Sequence, residues 1–551
     1  MSLEKEKQVI RRKQVVALLA GGALSLSAGF AANVGASPSG GLNLTSVPSA
    51  NTRSDGYAPA SKLSPELMQT TVAQGSTRME NSSALTSFYG YDNDVLNSVG
   101  FPQMVPIPAN PTKEAHKTEP DKNTYLVFKR GLDGADPGYD YGTHFLFQGH
   151  ESGVGGAADI TRINLDADAE HRVTLLATTD VNGNPIAPID GSTWDPWAKR
   201  LLLTTENTGA PTYAATPNFP SAVTDVSGAL GRGGYEGIQN DSDGNIWIVE
   251  DVGGSTKPGT TAKRPNSFIY RYVPKHPGDL QNGKLQALQV LNAGGEPITF
   301  ASQEALNSPD QLALHTYGKT FKTRWVTIHD TAVDGNTPFV AIDLAKAAKA
   351  TPFKRPENGL FQPGSHFTKF FFAETGDTNA TSPENGAAGG WGSIMKLTQS
   401  GPSANTGTLS MLYLGDEAHS GLDNVAFLSR EAISFVEDAG DTLHGQRNAL
   451  DSGYVWNVGT DYSQAANQPV RWLAEGRDPS ATLDAANGGF GSNEGDNEIT
   501  GLHVSDGDTG TDGILGAEVP DLSSKKWRWF YTQQHGDNRT YEVSLKHGRD
   551  N

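Results

Sequence analysis

The sequence contains no cysteine among its 551 residues. Disulfides, thiolate nucleophiles and zinc–thiolate sites are therefore excluded. Basic residues are also few, because 43 Lys and Arg stand against 62 Asp and Glu, which gives a net charge of −19. Contacts to nucleic-acid phosphates need clustered Lys and Arg, so this balance argues against a nucleic-acid partner. The acidic excess fits either solubility or carboxylates gathered around metal ions.

Most apolar residues come in short runs, but a longer apolar stretch lies close to the N-terminus. Arg11 and Arg12 stand side by side and are followed by VVALLAGGALSLSAGFAA and then by a small-x-small cleavage site near Ala36. This order is typical of a signal peptide, and the paired arginines resemble a twin-arginine export signal. We expect residues 1–36 to be cleaved, without a stable membrane anchor, and the protein to be periplasmic or secreted. An uncleaved anchor is the alternative.

Residues 37–120 form an N-terminal extension in this interpretation. Their first half is rich in Ser, Gly, Pro and Asn, a composition that predicts an extended, partly disordered segment or a strap over the fold. Within it, the stretch SPELMQTTVAQ predicts a short helix with Ser64 as N-cap and Pro65 at the first helical position.

Residues 121–551 read as the catalytic domain of an all-β protein. Runs of four to seven apolar residues alternate with Gly, Pro, Asn and Asp, and helical periodicity is scarce outside residues 342–350. We predict a β-propeller with long inserted loops. A large β-sandwich and a parallel β-helix are the alternatives.

Five apolar runs share an ending: an acidic residue, Gln or His, followed by Gly or a polar residue. The endings lie at Glu206, Glu250, Glu374, Glu437 and His535. In a propeller, equivalent strand ends converge on one face, so these side chains would form a ring around a channel mouth, with Glu250 or Asp251 near it. Carboxylates placed so close together repel one another, and bound calcium ions would offset this repulsion. The alternative is that each acid only caps a turn, by accepting hydrogen bonds from nearby backbone N–H groups.

The stretch FKRPENGLF combines a cation and a carboxylate. Two positions apart in an extended segment, Arg355 and Glu357 point the same way, which suits an anionic substrate held by cations. A surface ion pair is the alternative. Oxygen- or nitrogen-rich positions beside glycines add further candidates: Glu236, Asp423, Asn424, Glu498, Gln534, His535 and Asp537.

Together, the ordered motifs GSTWDPWAKRLLLTTEN, GGYEG…GNIWIVED, RPENG, GLDNVAF, NEITG and QQHGD resemble the PhoX alkaline-phosphatase family over roughly residues 125–545. The resemblance implies an exported, twin-arginine-targeted phosphomonoesterase folded as a β-propeller, with iron and calcium on the channel axis.

Site residues follow from the same resemblance, position by position. It implies metal-bridging roles for Glu236, Glu357 and Glu498, and a phosphate-binding role for Arg355. The Asp-Asn and Gln-His-Gly elements match Asp423–Asn424 and Gln534–Gly536. The expected metal ligands are Glu206, Glu236, Asp251, Glu357, Asp423 and Glu498; the expected catalytic residues are Arg355 and Glu357; and the expected substrate-binding residues are Arg355, Asn424 and His535.

One departure from the family pattern concerns the metal. The family has an iron-binding cysteine where this chain has Thr205, and a hydroxyl is a poor iron ligand beside a thiolate. We therefore expect calcium, with iron in doubt, in a monomeric phosphomonoesterase acting on small-molecule phosphate esters. A calcium-dependent propeller lactonase and a non-catalytic calcium-stabilised binding propeller are the alternatives.

Overall fold

A computed structural model describes residues 42–53, 60–84, 86–92, 117–151, 158–300, 308–379, 381–476, 498–534 and 538–546. Strands dominate, as the short apolar runs predict. The predicted signal peptide, residues 1–36, lies outside the described residues. Within the described part of the chain, no helix is long and apolar enough to cross a membrane.

Four strands precede the main body: β1 (Lys62–Leu63), β2 (Leu67–Ala73), β3 (Thr86–Phe88) and β4 (Tyr91–Asp92). Six blades follow. Blade 1 contains β5 (Thr124–Val127), β6 (His144–Gly149), β7 (Ile160–Asn164) and β8 (Val173–Ala177), and blade 2 contains β9 (Ser192–Asp195), β10 (Arg200–Leu203), β11 (Tyr213–Ala215) and β12 (Val223–Asp225). Blade 3 contains β13 (Tyr235–Asn240), β14 (Ile246–Glu250), β15 (Ile269–Pro274) and β16 (Gly283–Leu291).

After blade 3 comes β17 (Phe321–Asp330). Blade 4 contains β18 (Pro356–Phe361), β19 (Lys369–Glu374), β20 (Ser393–Gln399) and β21 (Thr406–Leu414), and blade 5 contains β22 (Leu422–Phe427), β23 (Ala432–Glu437), β24 (Ser452–Asn457) and β25 (Val470–Ala474). Blade 6 contains β26 (Glu498–Ser505), β27 (Arg528–Gln534) and β28 (Arg539–Leu545) and takes β2 as its fourth strand. The α-helices of the described residues are α1 (Ser227–Leu230), α2 (Pro309–Leu314), α3 (Thr331–Asp334), α4 (Ala341–Ala347) and α5 (Gly440–Arg447).

The first strands of the blades close a ring. Within each blade, neighbouring strands are antiparallel, and the first strands β5, β9, β13, β18, β22 and β26 contact one another in that order, with β26 returning to β5. This arrangement confirms the predicted all-β propeller. The predicted long insertions are present too, because helices α2, α3 and α4 all fall between blades 3 and 4. Strand β17 pairs with both β16 and β21 and so joins these two blades in one nine-stranded sheet.

The N-terminal segment contributes strands to two blades, and the helix predicted for SPELMQTTVAQ is wrong. Strand β1 pairs with β25 of blade 5, and β2 pairs with β28 of blade 6. The edge of β28 would otherwise leave backbone N–H and C=O groups unpaired, and pairing with β2 satisfies them. Helix-capping residues at Ser64 and Pro65 therefore did not decide the local structure, because long-range pairing overrode local preference.

Leu67 offers a test of how far this strand stabilises the ring. Its side chain is 1 % exposed in the core between blades 5 and 6, whereas the neighbouring Met68 is 46 % exposed. Leu67→Ala is expected to lower the free energy of unfolding by about 2–4 kcal/mol, because it removes buried methyl groups and leaves a cavity. Met68→Ala is the matched control and should change it by less than about 0.5 kcal/mol. Equal effects in denaturant titrations would mean that the segment does not support the ring.

One end of the ring is covered by the chain that follows β26. There, Gly507 and Thr509 carbonyl oxygens accept hydrogen bonds from Val127 N–H (2.7 Å) and Trp194 Nε1–H (3.0 Å). Further along, the Leu515 carbonyl accepts one from Gln239 Nε2 (2.9 Å). The donors lie at or near the last residues of β5, β9 and β13. This segment therefore covers the end where the first strands finish, and the site lies where they begin.

Candidate functional site

The first strands begin at the opposite end of the ring, and several of them carry an acid there. Strands β13, β18 and β22 each show a register shift with their partner just after the first residue, at Glu236, Glu357 and Asp423. A β-bulge inserts an extra residue and turns its side chain away from the regular alternation. Blades 1 and 2 place Asp121 and Asp190 shortly before their first strands. Five blades thus present an acid at equivalent positions, and the five are buried.

Two groups of three carboxylates could each hold a cation. In the first, oxygens of Asp121, Glu151 and Asp190 all lie within 4.8 Å of one another. The second, within the same limit, consists of Glu206, Glu236 and Asp251. Asp190 and Glu236 also interact directly, so the two groups are continuous.

Crowding of these acids changes their proton affinity. Burial, followed by the charges of Asp190 and Glu357, raises the pKa of Glu236 well above its ordinary value. Burial and Asp121 do the same to the pKa of Asp190. Glu206 remains open to solvent at the mouth, yet the surrounding protein and the Asp251 carboxylate raise its pKa to about 7. The protein itself supplies too little positive charge for all these groups to be ionised.

Arg355 is the main cation that the protein brings to this cluster. Its Nε and Nη2 atoms donate to Asp251 at 2.9 and 2.6 Å, and its Nη1 atom donates to Thr378 Oγ1 at 2.6 Å. Its φ of 55° lies in the left-handed region, which non-glycine residues seldom adopt and which carries strain of about 1–3 kcal/mol. Although burial opposes the charged form, Asp251 and Glu357 raise the pKa of Arg355.

Glu357 lies on the same side as Arg355, as the extended spacing predicts. Its Oε1 atom is 3.6 Å from Arg355 Nη2 and accepts a hydrogen bond from Thr375 Oγ1 at 2.8 Å. The carboxyl is buried, and burial together with the Asp251 charge raises its pKa well above the ordinary value. The pair joins a buried carboxylate to a half-buried guanidinium and is not a surface ion pair.

Asn424 is held by groups of the site itself. Its Nδ2 atom donates to both oxygens of Asp423 at 2.9 Å, and its Oδ1 atom accepts from Lys122 Nζ at 3.0 Å. Burial lowers the pKa of Lys122 to about 8, against the effect of Asp423 and Asp121. The amide is thus already engaged within the protein. Glu498, the first residue of β26, joins the same side of the cluster, and burial and the Asp438 charge raise its pKa well above the ordinary value.

The strand-terminal acids that recur in the sequence have a different position from these. The four described endings, Glu206, Glu250, Glu374 and Glu437, follow or end the second strands β10, β14, β19 and β23, and three of them accept hydrogen bonds inside their blades. Glu250 Oε2 accepts from the backbone N–H of Phe268 (3.1 Å), and Glu437 Oε2 accepts from that of Ser452 (3.0 Å). Glu374 Oε1 accepts from the backbone N–H of Lys354 (2.8 Å). These three accept backbone hydrogen bonds, as the capping alternative expected, but the donors lie 15, 18 and 20 positions away in the sequence and not in the adjoining turn. The ring of acids belongs to the adjacent first strands.

Antiparallel pairing explains why the recurring ending still indicated the correct face. Tyr235, which precedes Glu236, pairs with Glu250, and Pro356, which precedes Glu357, pairs with Glu374. A second strand therefore ends where its first strand begins. Of the five endings, Glu206 reaches the cluster directly, and Asp251 reaches it as the residue after Glu250. His535 and Asp537 lie outside the described residues.

The donor atoms indicate which cation would fit. Both three-carboxylate groups offer oxygen atoms alone, the ligand type of hard cations such as calcium. At the position of the family cysteine, Thr205 is buried, and its hydroxyl donates to the Pro211 carbonyl at 2.9 Å. A thiolate-dependent iron site does not fit these residues, whereas a calcium site does.

These features define a class: a six-bladed propeller with a candidate metal centre on its axis. The family model described as "Alkaline phosphatase PhoX" matches residues 259–510, just under half of the chain, and confirms the resemblance to that family. The matched part includes Arg355, Glu357, Asp423 and Glu498. The match supports a phosphatase of the alkaline-phosphatase type, from a metal-dependent family. No curated protein sequence matches the chain.

Comparison with solved structures supports the fold through one match with a TM-score above 0.5. Pseudomonas fluorescens PhoX, in complex with vanadate, a transition state analogue, matches with a TM-score of 0.52 and 12 % identity, covering 92 % of this chain and 98 % of that one. An auxiliary nutrient binding protein from Bacteroides thetaiotaomicron matches with a TM-score of 0.36 and 10 % identity, over 87 % and 77 % of the two chains. A glucose dehydrogenase matches with a TM-score of 0.28 and 12 % identity, over 65 % and 96 %.

Proposed function

We propose that the chain is an exported, calcium-dependent phosphomonoesterase that hydrolyses small phosphate esters at the axial carboxylate cluster. The observation that carries the proposal is the half-buried Arg355, fixed by Asp251 beside Glu357 at the open end of the ring. A phosphoryl group is a dianion and needs cations on several sides. The family match supports the same reaction, as does the vanadate bound by Pseudomonas fluorescens PhoX.

The carboxylates would hold the cations in this proposal. Two ions would occupy the two three-carboxylate groups, with Glu357, Asp423 and Glu498 completing the cluster. Bound cations supply Lewis acidity, neutralising phosphoryl oxygens and lowering the pKa of a bound water. Iron is not part of the proposal, since Thr205 replaces the thiolate.

The protein groups position what the cations bind. Asp251 accepts two hydrogen bonds from Arg355, and Thr378 accepts a third, so the guanidinium plane is fixed before substrate arrives. A fixed guanidinium can bind a phosphoryl oxygen without a reorganisation cost during the reaction. Thr375 orients the Glu357 carboxyl by its hydrogen bond.

The proposed cellular location rests on the sequence, and the proposed oligomeric state rests on the propeller fold. The twin-arginine-type leader at residues 1–36 would carry the chain to the periplasm or outside the cell. We further propose a monomer, because a closed propeller leaves few strand edges to pair.

The test is a substrate screen on the purified full-length protein with added calcium. We expect phosphate release from p-nitrophenyl phosphate, no ring opening of a simple lactone, and calcium without stoichiometric iron in elemental analysis. Lactone opening without phosphate release would instead identify a propeller lactonase. Calcium binding with neither reaction would identify a binding propeller.

A further inference from the structure

The loop between β14 and β15, residues 251–268, leaves the second strand of blade 3 at the open end of the ring. It folds back on itself, with Lys257 N–H donating to the Ala262 carbonyl at 3.0 Å. It is also fastened to blade 4, because Asn379 Nδ2 donates to the Thr261 carbonyl at 2.7 Å and Lys263 N–H donates to Asp377 Oδ1 at 3.3 Å. These hydrogen bonds hold the residue at position 263 in place.

The Lys263 side chain extends from this loop towards the site. It is half-buried, and its Nζ atom lies 3.6 Å from the position that a Cβ atom would take on Gly253. Gly253 follows Asp251 by two residues, and Asp251 binds Arg355, so the ammonium lies near this pair. The charges of Arg355 and Asp251 act on it most strongly. Among the residues that the structure describes, the ammonium has no hydrogen-bond or ion-pair partner.

This placement is unfavourable unless an anion is present. Partial burial and the Arg355 charge both lower the pKa of Lys263, so the protein opposes its charged form. Asp251 cannot compensate Lys263 fully, since both of its oxygens already accept hydrogen bonds from Arg355. The charges of Asp377 and Glu357 also act on Lys263, but these carboxylates already accept hydrogen bonds from Lys354 Nζ and Thr375 Oγ1, each at 2.8 Å. Two neighbouring cations whose surrounding carboxylates are already engaged form a binding place for a further negative group.

We propose that Lys263 binds the phosphoryl group of the substrate together with Arg355, as a second cation that sets affinity for the phosphate ester. This inference rests on the proposed function. Arg355 is held rigidly by Asp251 and Thr378, while the lysine can rotate its three donors to an outer phosphoryl oxygen. Such a contact forms with substrate and transition state alike, so it lowers KM and leaves kcat nearly unchanged.

The test compares three variants of the full chain, purified with calcium. Lys263→Gln is expected to raise KM for p-nitrophenyl phosphate and the Kd of inorganic phosphate by about tenfold each, with kcat within about twofold. Lys263→Arg should recover most of the affinity. Lys257→Gln, an exposed lysine of the same loop, is the matched control and should leave both constants unchanged.

Two results would overturn the inference: a phosphate Kd unchanged in Lys263→Gln, or equal weakening by Lys257→Gln, which would mean a general effect of loop charge. Failure of the proposed function is distinguishable. Phosphate binding that depends on Lys263 in a protein without phosphatase activity would refute the function and keep only the phosphate contact of Lys263. If Lys263→Gln hydrolyses the phosphate ester with an unaltered KM, the proposed function stands and the role of Lys263 is refuted.

Discussion

Glu357→Gln is expected to reduce kcat/KM for a phosphomonoester by at least about 10³-fold, or about 4 kcal/mol of transition-state stabilisation. The carboxyl lies 3.6 Å from Arg355 Nη2, and the charges of Asp251 and Asp423 act on it. Glutamine keeps the shape and an oxygen that can accept from Thr375, so the fold should persist. What it removes is the negative charge that a cation beside the phosphoryl group needs. Steady-state kinetics and thermal melting of the same preparation measure the two effects separately.

Glu236→Gln should behave in the same way, because Glu236 occupies the equivalent position in blade 3. Glu384→Gln is the control, since that carboxyl is exposed on the short 3₁₀ helix Ser382–Ala388. It should retain wild-type turnover. Full turnover by Glu357→Gln would remove Glu357 from the site, and lost activity with a collapsed melting temperature would show a structural role instead.

Much of this arrangement could be predicted from the sequence, because local patterns recur from blade to blade. Short apolar runs bounded by turn residues indicated a propeller, and the strand endings indicated the face. The Arg355–Glu357 spacing led to a correct geometric expectation, since two residues apart in a strand share a side. Strand endings and side-chain spacing depend on the two-residue alternation along a strand and on residues close in sequence, and both are visible in a single sequence.

The remaining site residues depend on which strands meet, and a single sequence does not show this. Asp121, Glu151 and Asp190 come from two blades and form one carboxylate group only when the ring closes. Lys122 was missed as well, although its position directly after Asp121 and before an apolar run was a usable signal. Its role as a donor to Asn424 depends on a partner 302 residues away in sequence.

The different positions of Glu250 and Asp251 could not be predicted from the strand ending alone, for a related reason. Glu250 and Asp251 are adjacent acids that look interchangeable in sequence, yet Glu250 is directed into its blade and Asp251 into the cluster. Alternation along a strand sends successive side chains to opposite sides, so a shift of one residue changes the role completely. The bulges at Glu236 and Glu357 add a further shift that no local pattern announces.

Removal of divalent cations by a chelator is expected to abolish activity and to lower the melting temperature by about 5 °C. Within each of the two groups, the three carboxylates have oxygens within 4.8 Å of one another. Without cations, their repulsion is relieved only by protonation or by opening of the site. A cation held at about 100 times its Kd stabilises a folded protein by about 2.7 kcal/mol per site. Two such sites account for the expected shift, because the melting temperature of a protein of 551 residues moves by about 1 °C per kcal/mol.

Calcium should restore both activity and melting temperature, and magnesium should restore less, because its small octahedral shell suits a crowded carboxylate cluster poorly. The double variant Glu206→Gln/Glu236→Gln serves as the structural control. With two of its three carboxylates neutralised, the group around Asp251 loses both its repulsion and its affinity for a cation. The chelator should therefore lower the melting temperature of this variant by about half as much as that of the wild type. A wild-type protein whose activity and melting temperature resist prolonged chelation would contradict a cation-dependent centre, and the buried acids would then have to be held neutral by protons alone.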